Sequence, residues 1–246
     1  MIEVLQWSTL AVCSAVALAR IPSALRGRNR SLFAIFVLAT VAILLSIREP
    51  YLAVDSWLGS ENYTNLILRF IIYATVFLAG RGIARAFDAP KALRRLTGTV
   101  GACVLGLIIL ATVAFFLLAD TTGSSAGLSA LPSRSPENHL LIELYGSAGR
   151  LYPAYVAACL LPVTFKAAMQ QPLPGAVRCG AVLLSLGFVA LFLGMLFPVI
   201  PEPLAFLRPL INYTAVLALM TGLTSIWLGR VLLRRAKPSL RTFTEK

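Results

Sequence analysis

The amino-acid sequence predicts an all-α membrane protein: a bundle of seven transmembrane helices, amino terminus outside and carboxyl terminus in the cytoplasm. Three observations predict it. The first is composition. Of 246 residues, 58% are hydrophobic and 13% charged, with a mean hydropathy of +0.82. A soluble domain carries about 25% charged residues, so lipid is the solvent this chain suits. The second is recurrence. Hydrophobic stretches fall at about 2–19, 32–47, 63–80, 97–119, 140–165, 177–198 and 209–230. A helix crosses the hydrocarbon in about 20 residues. Lipid offers the backbone no hydrogen-bond partner, which selects helices, and no ten-residue alternation points to a barrel.

The third observation is where Lys and Arg sit. Every second gap between the stretches is basic. Gap 20–31 holds Arg20, Arg26, Arg28 and Arg30, and gap 80–96 holds Arg81, Arg85, Lys91, Arg94 and Arg95. Gap 166–178 holds Lys166 and Arg178, and 230–246 holds Arg230, Arg234, Arg235, Lys237, Arg241 and Lys246. The opposite side has Arg48, Arg134 and Arg208. Cytoplasmic loops retain basic residues, which fixes the orientation. The formal charge of +12 is thus divided among short loops. It predicts attraction to anionic lipid headgroups and no nucleic-acid partner.

The elements follow in order. The first stretch has Glu3 before it and four arginines after it, the reverse of a secretory signal, so it reads as a retained helix. The second is short and recruits flanking residues. The loop 48–62 mixes Tyr51, Leu52, Val54, Trp57 and Leu58 with charges and is expected along the outer interface, with Asp55 capping a Ser56–Gly59 turn. Pro153 is expected to bend the fifth span. Gly175, Gly180, Gly187 and Gly194 permit close packing of the sixth. The loop 120–138, rich in Gly, Ser and Pro, reads as flexible. Residues 1–232 form one transmembrane domain, and 233–246 a short basic tail.

Several chemistries lack their residues. Cys13, Cys103, Cys159 and Cys179 lie in spans or at their inner ends, with no zinc-site spacing, and read as small packing residues. His139 is the single histidine, which leaves no H-E-x-x-H motif. There is no G-x-S-x-G elbow and no P-loop. The seventh span has no lysine for a retinal Schiff base. The expectation is a chain that is no enzyme and takes no cofactor or metal.

Ionisable groups inside a span are costly and mark candidate sites. Arg69 lies about 10 Å below the outer surface at ~1.5 Å per residue. Glu143 and Arg150 lie in the outer half of the fifth span on one face with Gly146. Asn62, Asn65 and Arg69 share a face of the third span, and Arg208 and Asn212 share one of the seventh. Tyr145, Tyr152, Tyr155 and Tyr213 add hydroxyls at similar depth. The candidate ligand site is Arg69, Glu143, Arg150, Asn65, Asn212, Arg208 and Tyr152. If these faces converge, the excess positive charge favours a carboxylate, a phosphate or a lipid headgroup. The alternative is structural: an Arg69–Glu143 ion pair, a snorkelling Arg150 and asparagines bonding between helices.

The stretch VDSWLGSENYTNLILRFIIYATVFLAGRGIARAFD, residues 54–88, carries Asp55, Gly59, Asn62 and Leu66 in a pattern D-x-x-x-G-x-x-N-x-x-x-L. It resembles a group of actinobacterial seven-helix membrane proteins that are labelled as transporters. The resemblance implies a multi-pass protein of a bacterial plasma membrane. The tail RRAKPSLRTFTEK is shorter than the long cytoplasmic extension of many members. Three function classes follow: a transporter or permease subunit for a small anionic or amphipathic solute; a receptor-like sensor that binds an outer-leaflet ligand and signals through a partner; or a scaffold subunit of a membrane complex. A cytoplasmic or membrane protein partner and a homo-oligomer fit these classes.

Overall fold

The computed structural model describes residues 2–27, 30–123 and 135–241, and every regular element among them is helical. These are α1 (Ile2–Leu25), α2 (Arg30–Leu44), α3 (Arg48–Trp57), α4 (Tyr63–Ala86), α5 (Pro90–Thr97), α6 (Thr99–Leu118), α7 (Pro136–Met169), α8 (Gly175–Leu193) and α9 (Leu207–Arg241), with 3₁₀ segments at Gly194–Val199 and Glu202–Leu204. Six helices are long and apolar enough to cross a membrane, which makes this a polytopic membrane protein. The second predicted span is broken. α2 has 15 residues, about 22 Å at ~1.5 Å per residue, and α3 departs from it at 90°. α3 is the segment expected along the interface. It buries Tyr51 and Asp55 and leaves Trp57 93% exposed.

The helices are arranged as a ring. α1 packs on α2 and α9, α2 on α4, α4 on α7, α7 on α8, and α8 on α9, while α6 stands outside against α7. The interior is apolar, with Phe36, Ile83, Val156, Leu160 and Leu184 buried in one cluster. A void of about 30 Å³ is lined by residues of α4, α7, α8 and α9. The two ends of the ring are called outer and inner here, following the charge pattern of the loops.

Close packing of α8 on α9 depends on glycine. A Cβ at Gly180 would lie 2.8 Å from the Gly222 carbonyl oxygen, and one at Gly222 would lie 2.9 Å from that of Gly180. Gly187 is similarly tight against Leu219. The expectation fails at Gly175, which faces open space, and at Gly194, which meets only ordinary contacts with Phe197. α7 runs unbroken through Pro153 and Pro162 for 34 residues, so no break follows Pro153. Cys13 and Cys159 are buried as expected, whereas Cys103 and Cys179 are exposed. The tail begins as a continuation of α9, which reaches Arg241. Most of the 120–138 loop lies outside the described residues.

Candidate functional site

The outer end of α4 is anchored by the residues of the 54–88 stretch. Asn62 adopts a left-handed conformation at φ 60° and is fully buried. Its Oδ1 accepts from Tyr51 Oη at 2.7 Å, and its Nδ2 donates to the carbonyls of Thr121 at 2.7 Å and Gly123 at 2.8 Å. Asp55 is also fully buried. Its carboxylate accepts from the backbone N–H of Asn62 at 3.1 Å and of Thr64 at 3.2 Å. Asp55 therefore caps α4, correcting the expected cap of the Ser56–Gly59 turn. An anion at a helix N-terminus meets unpaired amides and the positive end of the dipole. This knot ties α3, the start of α4 and the segment after α6 together, and so sets the height of Arg69 two turns further along.

Three arginines gather below the knot. The Arg69 guanidinium, from α4, sits over the Tyr145 ring of α7 at 5.2 Å, in a space left open by Gly149, where a Cβ would overlap it. Arg150 lies over Phe197 of the first 3₁₀ segment at 5.5 Å and donates to Ser147 Oγ at 3.1 Å. Arg208 donates to the Ile200 carbonyl at 3.0 Å. Arg150 is within electrostatic reach of Arg69, Arg208 and Glu143. The Nε atoms of Arg150 and Arg208 are buried without a hydrogen-bond partner.

Glu143 forms no ion pair with the group. Its side chain is 51% exposed, and Oε1 lies 3.7 Å from His139 Nε2. The alternative Arg69–Glu143 ion pair is not formed, and among the described residues no carboxylate pairs with any of the three arginines. Like charges gathered in a half-buried place raise each other's energy unless an anion joins them. Each guanidinium has an aromatic ring or carbonyl fixing one part and donors remaining elsewhere. This is the donor chemistry of carboxylate and phosphate recognition.

The other candidates separate from this group. Asn65 is buried and accepts from Tyr145 Oη at 2.9 Å, which orients the ring beneath Arg69. Asn212, one turn after Arg208 on α9, is exposed. Tyr152 is 1% exposed and sits deeper in the α4–α7 seam, its ring edge-on to Tyr73 at 5.7 Å and its hydroxyl without a partner. Tyr155 leaves the group altogether and donates to the Arg95 carbonyl of α5 at 2.7 Å.

Four contributors were not expected from sequence: Gly149, Ser147, Phe197 and the Ile200 carbonyl. Gly149 had a readable signal, lying four residues after Tyr145 and three before Tyr152 on one helix face. The others depend on how the 3₁₀ segment folds back. A second unforeseen polar cluster joins α1, α2 and α9, where Tyr213 Oη accepts from Gln6 Nε2 at 2.8 Å and meets Ser46 Oγ at 2.9 Å. No family model matches the chain, and no curated protein or solved structure matches it either.

Proposed function

We propose that the chain is a multi-pass protein of a bacterial plasma membrane that transports a small anionic solute, captured at its outer end by Arg69, Arg150 and Arg208. The observation that carries this reading is that Arg69, Arg150 and Arg208, all at the outer end, have no ion-paired carboxylate among the described residues, while Nε of Arg150 and of Arg208 is buried without a hydrogen-bond partner. Three arginines against Glu143 leave an excess of two positive charges in the group. It therefore favours a dianion, such as a phosphate monoester or a dicarboxylate, over a neutral solute. The multi-pass architecture, with six helices long and apolar enough to cross a membrane, is compatible with transport. The resemblance of residues 54–88 to actinobacterial proteins labelled as transporters agrees with it.

The test uses the whole chain in liposomes, with radiolabelled phosphate and succinate as probes, alongside calorimetric binding in detergent. Wild-type protein shows saturable uptake and binding, and Arg69→Gln and Arg150→Gln lose both while remaining folded. Binding without flux would replace transport by sensing. The absence of both would refute the anion site.

A further inference from the structure

Arg20 stands apart from everything above. It was expected in the first basic loop, but α1 continues to Leu25, which places Arg20 inside the helix with only 3% of its surface exposed. Its guanidinium is held between the Trp227 ring of α9 at 4.2 Å and the Phe36 ring of α2 at 5.5 Å. Two of its nitrogens, Nε and Nη2, are buried with no hydrogen-bond partner. No carboxylate among the described residues pairs with it.

These facts do not balance without an anion. Taking a guanidinium out of water is costly, and its two cation–π contacts offset only part of that cost. The two unpartnered atoms also have a specific geometry. Nε and Nη2 form one edge of the planar guanidinium, whose parallel N–H groups match two oxygens of a carboxylate or phosphate. The aromatic rings hold the cation in place and leave that edge unused. The site is also distinct from the outer arginines. It lies about 21 Å along α1 from Gln6 at ~1.5 Å per residue, and Gln6 belongs to the outer cluster on Tyr213.

We propose that Arg20, clamped by Trp227 and Phe36, is a second anion site at the inner end of the ring, taking a phosphate group two-pronged on its Nε–Nη2 edge. The phosphate comes either from solution or from a phospholipid headgroup. A headgroup would come from the groove between α1 and α2 lined by Ile21, Ala24, Leu25, Phe33 and Arg30, which Arg20 adjoins in sequence but does not line, so its reaching the Arg20 edge requires the side chains between them to part. The groove is apolar with one cation, the combination a lipid presents in reverse.

Trp227 is a built-in reporter. The other two tryptophans, Trp7 and Trp57, are exposed, and replacing both with Phe leaves Trp227 alone. This single-tryptophan protein is placed in dodecyl maltoside, a detergent without phosphate, after removal of bound lipid, and titrated with sodium phosphate, with sodium chloride as the ionic-strength control. A second arm uses nanodiscs containing phosphatidylglycerol. A free-anion site gives a saturable change in Trp227 emission in the first arm. A headgroup site gives emission already shifted in the second arm and insensitive to added phosphate. Arg20→Gln abolishes whichever response occurs. Arg20→Lys, which keeps the charge but loses the fork, raises the half-saturating concentration at least tenfold, and it carries the test if the Gln variant does not fold. Arg69→Gln leaves the Trp227 response intact even if the outer site is lost. A wild-type emission indifferent to both phosphate and headgroup, a response that survives Arg20→Gln, or one that disappears with Arg69→Gln overturns the proposal.

Discussion

Gly149→Ala separates a ligand-binding Arg69 from one that only packs. A Cβ at position 149 would fall 2.8 Å from Arg69 Nε, well inside contact distance. The obstructing group is the end of a flexible side chain, so the guanidinium moves and α7 does not. Alanine favours a helix over glycine by about 0.5–1 kcal/mol, while losing the stacking of Arg69 on Tyr145 costs about 0.5–1 kcal/mol. The two nearly cancel, so folded stability changes by less than about 1 kcal/mol. An anion, however, loses a charge-assisted hydrogen bond worth about 1.5–3 kcal/mol, which weakens its affinity about 10- to 150-fold at ~1.4 kcal/mol per factor of ten. Calorimetric titration of phosphate reads the affinity, and thermal unfolding in the same detergent reads the stability. A folded variant with wild-type affinity refutes the role of Arg69 as a ligand. A large loss of stability shows instead that the guanidinium is a packing element of the α4–α7 seam.

Three further outcomes are expected. Gly222→Val lowers stability by about 1–3 kcal/mol, because the new side chain meets the Gly180 carbonyl, which is backbone and cannot retreat; denaturant unfolding with an unchanged midpoint would contradict the tight α8–α9 contact. Asp55→Ala removes the acceptor of two buried amides and costs about 1–2 kcal/mol, whereas Asp55→Asn keeps an acceptor and costs less; equal midpoints for the two variants would argue against the cap. Tyr152→Phe removes a buried hydroxyl that has no partner, so stability holds or rises by about 1 kcal/mol with phosphate affinity unchanged; a fall in affinity by calorimetry would place that hydroxyl on the anion.

Much of this molecule is readable along the chain, because membrane insertion is governed by one-dimensional quantities. Apolar length selects spans, and the lipid requires helical backbone. The six unbroken spans follow from that alone; of the glycines expected to pack closely, Gly180 and Gly187 do so against α9, while Gly222, the partner of Gly180, was not among them. Arg69, Arg150 and Arg208 are marked as a possible group because charge in a span is costly wherever the helices stand.

Only the tertiary structure decided which of these charges meet. Helix periodicity gives a direction relative to a helix's own axis, and the same face can turn toward a neighbour or toward lipid. Glu143 and Asn212 turned outward, Tyr152 went deeper into a seam, and Tyr155 reached the inner end. Arg20 reads as a loop residue until α1 is seen to continue and α2 and α9 to close over it. In sequence Asp55 reads as the cap of a local turn and Asn62 as part of a polar face of the third span, whereas their buried bonds to Thr64, Tyr51 and Thr121 tie the start of α4 to its neighbours. The physical reason is common to all of them. Partition between water and lipid depends on composition along the chain, while hydrogen bonds and ion contacts act over a few ångströms and depend on which helices become neighbours.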